Sequence, residues 1–267
     1  MTLTEIALLL GVNLALILGI MSLLWLLAVR IRDVSFIDAV WPLAMLFLAL
    51  VTWPRTEGDA LRSALLVGLC GLWAVRLGLH LFLRWRAHGE DRRYTDLIGR
   101  QMKTGKSWPM VALLFVFLPQ GVLAWLTSLP VQLGQVAEAP SVGWLGWAGV
   151  ALFALGLVFE TVGDAQLSAF RRDPSTKGKV LDTGLWRYTR HPNYFGDACV
   201  WWGLYLIAAE TGPGVASILG PLFLTFTLTK WSGIGITEKS IHSSRPGYAD
   251  YVRRTSAFIP WPPKRAG

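Results

Sequence analysis

Apolar residues fill long blocks of the chain, and polar residues collect in short segments between them. A helix that crosses a bilayer needs about 20 mostly apolar residues. Seven blocks fit or approach that pattern: Leu3–Val29, Val34–Trp53, Ala60–Leu83, Trp108–Leu129, Val142–Val162, Phe195–Ala209 and Val215–Ile236. The sixth is short. The first stands where a signal peptide would, but its apolar run is too long and lacks a basic start, so it reads as a retained span. The pattern predicts an all-α polytopic membrane protein with seven transmembrane helices. With no linker or clear repeat, the chain reads as a single domain. Within it, residues 1–130 carry spans one to four, and 142–263 carry spans five to seven and the tail.

Charge supplies the direction. Of 25 Lys and Arg residues, 22 fall after span one, between Arg84 and Lys106, between Arg171 and Arg190, or from Lys230 onward. The loops 130–141 and 210–214 contain no Lys or Arg. Basic loops stay cytoplasmic, so the N-terminus is expected outside and the C-terminus in the cytoplasm. The composition agrees: 53% of residues are hydrophobic and 16% charged, against roughly 25% charged in soluble domains. The net charge of +8 is therefore read as a match to anionic lipid head groups and not to nucleic acid. Cys70 and Cys199 lie in apolar runs and read as buried hydrophobes. No CxxC, HExxH or Cys/His cluster points to a metal. GWLGWAG, residues 143–149, has Gly at every third position, but no strand precedes it, so close helix packing is expected over a phosphate loop.

Ionisable side chains at membrane depth are costly and call for a reason. Asp38 lies early in span two, and Arg76 sits midway along span three, with His80 and Arg84 at successive four-residue steps. Glu160 and Asp164 close span five at the same spacing, and Arg171 follows seven residues later. These positions predict a polar cavity open to the cytoplasm. The bland reading is a structural ion pair, Asp38 with Arg76, and interfacial charges.

The loop 165–194 joins that cavity through RRDPSTKGK and then LWRYTRHPNYFGD. Pro192 suits a first helical turn, and Asn193 and Asp197 are four apart on one face. Backbone N–H groups at such a start, with Lys179, Arg187 and Arg190 nearby, suit a pyrophosphate. Asn193 and Asp197 suit an amide or ribose hydroxyls. In the tail, Glu238 follows span seven, and Tyr248 and Tyr251 lie on a short amphipathic stretch closed by Trp261. That stretch reads either as a third element of the site or as a surface helix with an aromatic anchor.

GLWRYTRHPNYFGD, the later SG-x-x-x-TE, and RPGY-x-x-Y-x-RRTSAFIPW together resemble the bacterial, largely uncharacterised branch of the steroid 5-alpha-reductase superfamily. The resemblance implies seven membrane helices, NADPH bound from the cytoplasmic side of a bacterial inner membrane, and reduction of a conjugated carbon–carbon double bond in a lipid-soluble substrate, with 1–130 as the substrate side and 142–263 as the cofactor-binding core. Asn193 and Asp197 match the element that contacts the nicotinamide end, with His191 and Tyr194 in the same motif. Asp164 and Arg171 match the acid and base that hold the adenosine and phosphate portion; Lys179 falls near a family arginine, and Glu238 and Tyr248 lie in the matching tail. Steroid-reducing members place a Gln-Glu pair in span two and a Tyr in span three. Here Ile37-Asp38 and Trp73 stand there. Asp38 is thus the first candidate for the catalytic acid, His80 the second, and Arg76 a stabiliser of enolate charge. Isoprenylcysteine and phospholipid methyltransferases share R-H-P-x-Y, here Arg190 to Tyr194. S-adenosylmethionine-dependent methyl transfer is therefore the alternative, with a non-catalytic lipid binder or transporter behind it.

Overall fold

The structure is a computed structural model and describes residues 1–231, 233–235, 238 and 245–264. Ile236, the last residue of the seventh expected span, lies outside the described residues, as do Thr237 and Lys239 beside Glu238. The described residues form helices α1 (Leu3–Ile31), α2 (Ile37–Thr52), α3 (Ala60–His88), α4 (Arg92–Met102) and α5 (Trp108–Thr127). They continue with α6 (Leu129–Leu133), α7 (Trp144–Arg172), α8 (Pro192–Ala208), α9 (Gly212–Trp231) and α10 (Tyr248–Arg254). No strand occurs among them; a single parallel bridge pairs Thr189 with Ser256.

Six of these helices are long and apolar enough to cross a membrane: α1, α2 with its 3-10 extension to Arg55, α3, α5, α7 and α9. The sixth expected span coincides with α8, which has only 17 residues. Large apolar side chains stand exposed along the long helices, such as Leu8 at 68% and Leu23 at 67% on α1. Water would not tolerate such stripes; hydrocarbon does, and a helix already satisfies its own backbone there.

The chain forms two compact units. Unit 1 comprises Met1–Gly146 and Ile207–Gly220. Its α1 buries one stripe, Leu9, Asn13, Ile17, Met21 and Ala28, at the three- and four-residue steps of a helix face. Gly121 of α5 takes this stripe closely, since a Cβ there would stand 3.1 Å from the Met21 side chain. α2 packs along α3, with Gly78 admitting the Ala39 carbonyl. Trp85 donates to Asp33 Oδ2 at 2.8 Å and its ring meets Phe36, fixing the turn between α1 and α2. At the other end of the unit, the Glu210 carboxylate accepts from the backbone N–H groups of Gly143 and Gly146 at 3.0 Å. The fully buried Arg62 guanidinium lies 3.8 Å from it. The glycine-rich GWLGWAG segment thus does bind an anion, but one supplied by the chain itself.

Unit 2 comprises Trp147–Leu206 and, among the described residues, Pro221 to Lys264. Glycines on both sides bring α7 and α8 into backbone contact. A Cβ on Gly156 would lie 2.6 Å from the Gly196 carbonyl oxygen, and one on Gly203 2.6 Å from the Gly149 carbonyl oxygen. This agrees with the packing role expected for Gly149.

Candidate functional site

In unit 2, the α7–α8 seam places polar groups where the backbones run closest. Glu160 and Asp164 are one turn apart on α7 and buried, as is Asp197 on α8. Asn193 Nδ2 donates to Asp164 Oδ1 at 3.1 Å, tying the first turn of α8 to α7. Trp186 Nε1 donates to the Gly163 carbonyl at 3.1 Å, and the Leu185 N–H donates to Gln166 Oε1 at 3.0 Å, so the loop before α8 is pinned to the same helix. Asn193 and Asp197 share a face by their spacing. The His191 and Tyr194 rings stack at 5.2 Å.

The tail completes this end of the unit. Arg190 donates from Nε to Glu238 Oε1 at 2.7 Å and from Nη2 to Oε2 at 3.3 Å. Its Nη1 donates to the carbonyls of Val252 at 3.1 Å and Thr255 at 2.6 Å. His191 Nε2 lies 3.1 Å from Glu238 Oε1. Burial works against the Glu238 carboxylate, but hydrogen bonds from His191 and Arg190, and their charges, prevail and bring its pKa to about 2. Tyr251 donates to the Trp186 carbonyl at 2.5 Å, and Thr189 Oγ1 donates to the Phe258 carbonyl at 2.8 Å. Tyr248 and Tyr251 are buried. Burial, reinforced by the charge of Glu238, pushes the Tyr248 phenol up to about 12. The tail stretch is therefore not a free surface helix: its tyrosines face protein, and among its described large apolar side chains only Ile259 and Trp261 stay largely exposed.

These contacts separate the expected cofactor residues. Asp164, Asn193 and Asp197 lie at the seam, while Arg190, His191, Glu238 and Tyr248 form the clamp that ties the tail to the start of α8. Arg190 spends most of its donors on protein acceptors, which leaves it little capacity for a phosphate. Arg171, Lys179 and Arg187 are exposed.

In unit 1, Asp38 is the centre of a second cluster. Its Oδ1 accepts from the Tyr94 hydroxyl at 2.5 Å, and its Oδ2 accepts from Arg93 Nη2 at 3.0 Å, with Arg84 Nη2 at 3.7 Å. Gln120 of α5 donates to the Tyr94 oxygen at 3.2 Å. Burial, then the charge of Asp38 and the bond to it, raises the Tyr94 pKa well above the usual phenol value, so Tyr94 keeps its proton at neutral pH. Arg76 and His80 lie one turn apart on α3, half-buried. Trp73 is fully buried. Tyr94 is absent from the residues the sequence singles out. Its trace there is faint: in DRRYTDLIG, Tyr94, Leu97 and Ile98 recur at helical spacing and mark the inward face of α4.

The model of a protein family of unknown function, DUF1295, matches residues 24–255. The chain belongs to the DUF1295 family. An uncharacterised protein of Schizosaccharomyces pombe is 23% identical to this DUF1295 chain, over 94% of the chain and 78% of the yeast protein. A probable O-methyltransferase, ustE, of Ustilaginoidea virens is 44% identical over 46 residues, 17% of the chain and 16% of that protein. No solved structure matches. Thus DUF1295 membership covers both clusters, while the enzyme-named likeness is confined to a short segment.

Proposed function

We propose that this DUF1295 protein is an NADPH-dependent membrane reductase that saturates a carbon–carbon double bond conjugated to a carbonyl in a steroid-like or other lipid substrate. In this reading it has seven spans, α8 being the short one, with its basic loops in the cytoplasm of a bacterial cell. The observation that carries the reading is the Asp164–Asn193 pair at the first turn of α8, with Asp197 one turn further on. A buried carboxylate orients the Asn193 amide, and this ordered set of polar groups in an apolar bundle suits a carboxamide and hydroxyl-bearing ligand. The donor chemistry fits a dinucleotide: because Asn193 and Asp164 touch, both serve one end of it, with Asn193, Asp197 and Asp164 taking the nicotinamide and its ribose, and the exposed Arg171, Lys179 and Arg187 the phosphates, where planar guanidinium forks suit a phosphate best. Arg190, His191, Glu238 and Tyr248 act by positioning the start of α8.

The bound cofactor supplies hydride. The chain's own part is to polarise the carbonyl and deliver a proton. Asp38 and Tyr94 suit that task together, because the Tyr94 hydroxyl carries the proton and Asp38 fixes its direction. A substrate carbonyl that takes the place of Asp38 as acceptor receives that hydrogen bond as enolate charge develops. His80 remains the second candidate for the acid, and Arg76 a stabiliser of the enolate charge. The lipid enters sideways from the bilayer.

S-adenosylmethionine-dependent methyl transfer is the second reading, supported by the 46-residue likeness to a probable O-methyltransferase. Binding of NADPH, NADH and S-adenosylmethionine to detergent-purified protein, measured by calorimetry, separates the two. NADPH binding that Asn193→Ala and Asp197→Ala each abolish, with a gain of two hydrogens in a lipid extract incubated with enzyme and NADPH, is the expected result. Binding of S-adenosylmethionine without NADPH would reverse the assignment.

A further inference from the structure

Unit 1 has an open groove of about 1030 Å³ at the end where α1 begins and α2 stops. Along α2 this lies roughly 21 Å from Asp38, at 1.5 Å per residue from Asp38 to the helix end at Thr52, so it is separate from the polar cluster described above. One wall is apolar and comes from Leu8, Leu9 and Val12 of α1. Leu8 stands largely exposed, which leaves a greasy track leading away from the groove along the helix.

The rest of the groove is charged, and with both signs. Arg55 lines it together with Glu5, Glu57 and Glu138, of which Glu5 is engaged at the start of α1, accepting from the Thr2 N–H at 2.7 Å. Arg55 is held from beneath: its Nη1 donates to Asn13 Oδ1 at 3.2 Å. Asn13 is fully buried, and its Nδ2 donates to Thr52 Oγ1 at 2.8 Å and to Gln132 Oε1 at 2.9 Å. Both donations turn the Asn13 oxygen toward Arg55. A buried three-residue network therefore anchors the guanidinium through Nη1 in the lining of the groove. Glu57 and Glu138 have no hydrogen bond or ion pair within the described residues.

We propose that this groove holds a phospholipid from the adjoining leaflet whose head carries both a phosphate and a primary amine. The phosphate sits on Arg55, the ammonium on Glu57 and Glu138, and an acyl chain follows Leu8 and Val12. A purely anionic head meets three carboxylates, Glu5 among them, and is repelled. A head without phosphate leaves the anchored guanidinium unmatched. A quaternary ammonium has no N–H to donate to the carboxylates. The aminophospholipid alone satisfies both signs and the apolar wall, and it does so whatever reaction the Asp164–Asn193 pair takes part in.

The test uses the full chain in mild detergent, with native mass spectrometry after equal additions of phosphatidylethanolamine, phosphatidylcholine or phosphatidylglycerol. Phosphatidylethanolamine is expected to be retained about tenfold more than either other lipid, the scale of one lost charge-assisted hydrogen bond. Glu57→Gln with Glu138→Gln is expected to bring its retention down to the phosphatidylcholine level with an unchanged unfolding temperature, because neither side chain holds the fold together. Arg55→Ala is expected to weaken all three. Equal retention of the three lipids, preference for phosphatidylglycerol, or an unaltered pattern in the double variant would overturn the assignment. The double variant still discriminates between these outcomes even if Arg55→Ala unfolds the protein.

Discussion

Gly196 sets how closely α8 can approach α7. A Cβ there would lie 2.4 Å from the Glu160 backbone nitrogen and 2.5 Å from the Gly156 carbonyl oxygen. Ordinary contact starts near 3.4 Å, so Gly196→Ala must separate the helices by about 1 Å at this point. Both obstacles are backbone atoms, and no rotamer change relieves them. Overpacking of this kind costs about 1–3 kcal/mol, or roughly 2–12 °C of unfolding temperature for a chain of this size. The Asn193–Asp164 bond, 3.1 Å long and less than one turn away, lengthens out of range, so nucleotide affinity is expected to fall along with stability. The 14 Trp residues allow the melt to be followed in detergent by intrinsic fluorescence, and calorimetry reads the affinity. Gly11→Ala and Gly19→Ala on α1 are the controls, since no heavy atom lies within 4 Å of a Cβ at either position. Those variants should hold or gain up to ~1 kcal/mol from helix propensity. A Gly196→Ala protein as stable as its parent, or controls that melt equally early, would refute the reasoning.

Other perturbations probe the remaining clusters. Folding lowers the Glu238 pKa from 4.5 to about 2, so its contribution is complete above about pH 5 and is lost as pH falls through 4.5 toward 2; Glu238→Gln should flatten that part of a pH-stability profile, and an unchanged slope would remove Glu238 from the clamp. Tyr94→Phe deletes the hydrogen bond to Asp38 but leaves Arg93 and Arg84 on the carboxylate. It should cost turnover about a hundredfold with NADPH affinity unchanged; equal losses in both would mark Tyr94 as structural. Glu210→Ala strips the buried Arg62 of its counter-charge and the N-terminus of α7 of its acceptor, for which about 3–5 kcal/mol is expected in a thermal melt; Glu210→Gln, which retains an amide oxygen for Gly143 and Gly146, should recover part of it.

Much of the helical order can be read along the chain because each span carries its signal within itself. Leu3–Val29 is recognisable without knowledge of what it packs against, and α1 runs only two residues further. The short block at Phe195–Ala209 is equally visible, though α8 begins earlier, at Pro192. Pairings between distant segments are another matter. Asp38 is conspicuous as a charge inside a span, yet its partner Tyr94 lies 56 residues away in a segment whose basic residues draw attention first. Arg190 stands beside a helix start and looks available for phosphate; the acceptors that occupy it lie 48 to 65 residues further on. GWLGWAG shows that backbones approach closely there, but nothing in that segment says that Glu210, 64 residues beyond Gly146, fills its N–H groups.

The clamp around Arg190 also imposes a timetable on synthesis. The Thr255 carbonyl that accepts from its guanidinium is made 65 residues later, which at 5–20 residues per second is a wait of roughly 3–13 s. The ion pair with Glu238 can form after 48 residues, but the bridge to Ser256 waits for the tail. A nascent chain stalled before the tail emerges would hold its apolar spans in the bilayer while the start of α8 stayed unclamped, so the Asn193–Asp164 pair should be held firmly only once residues 245–256 are made.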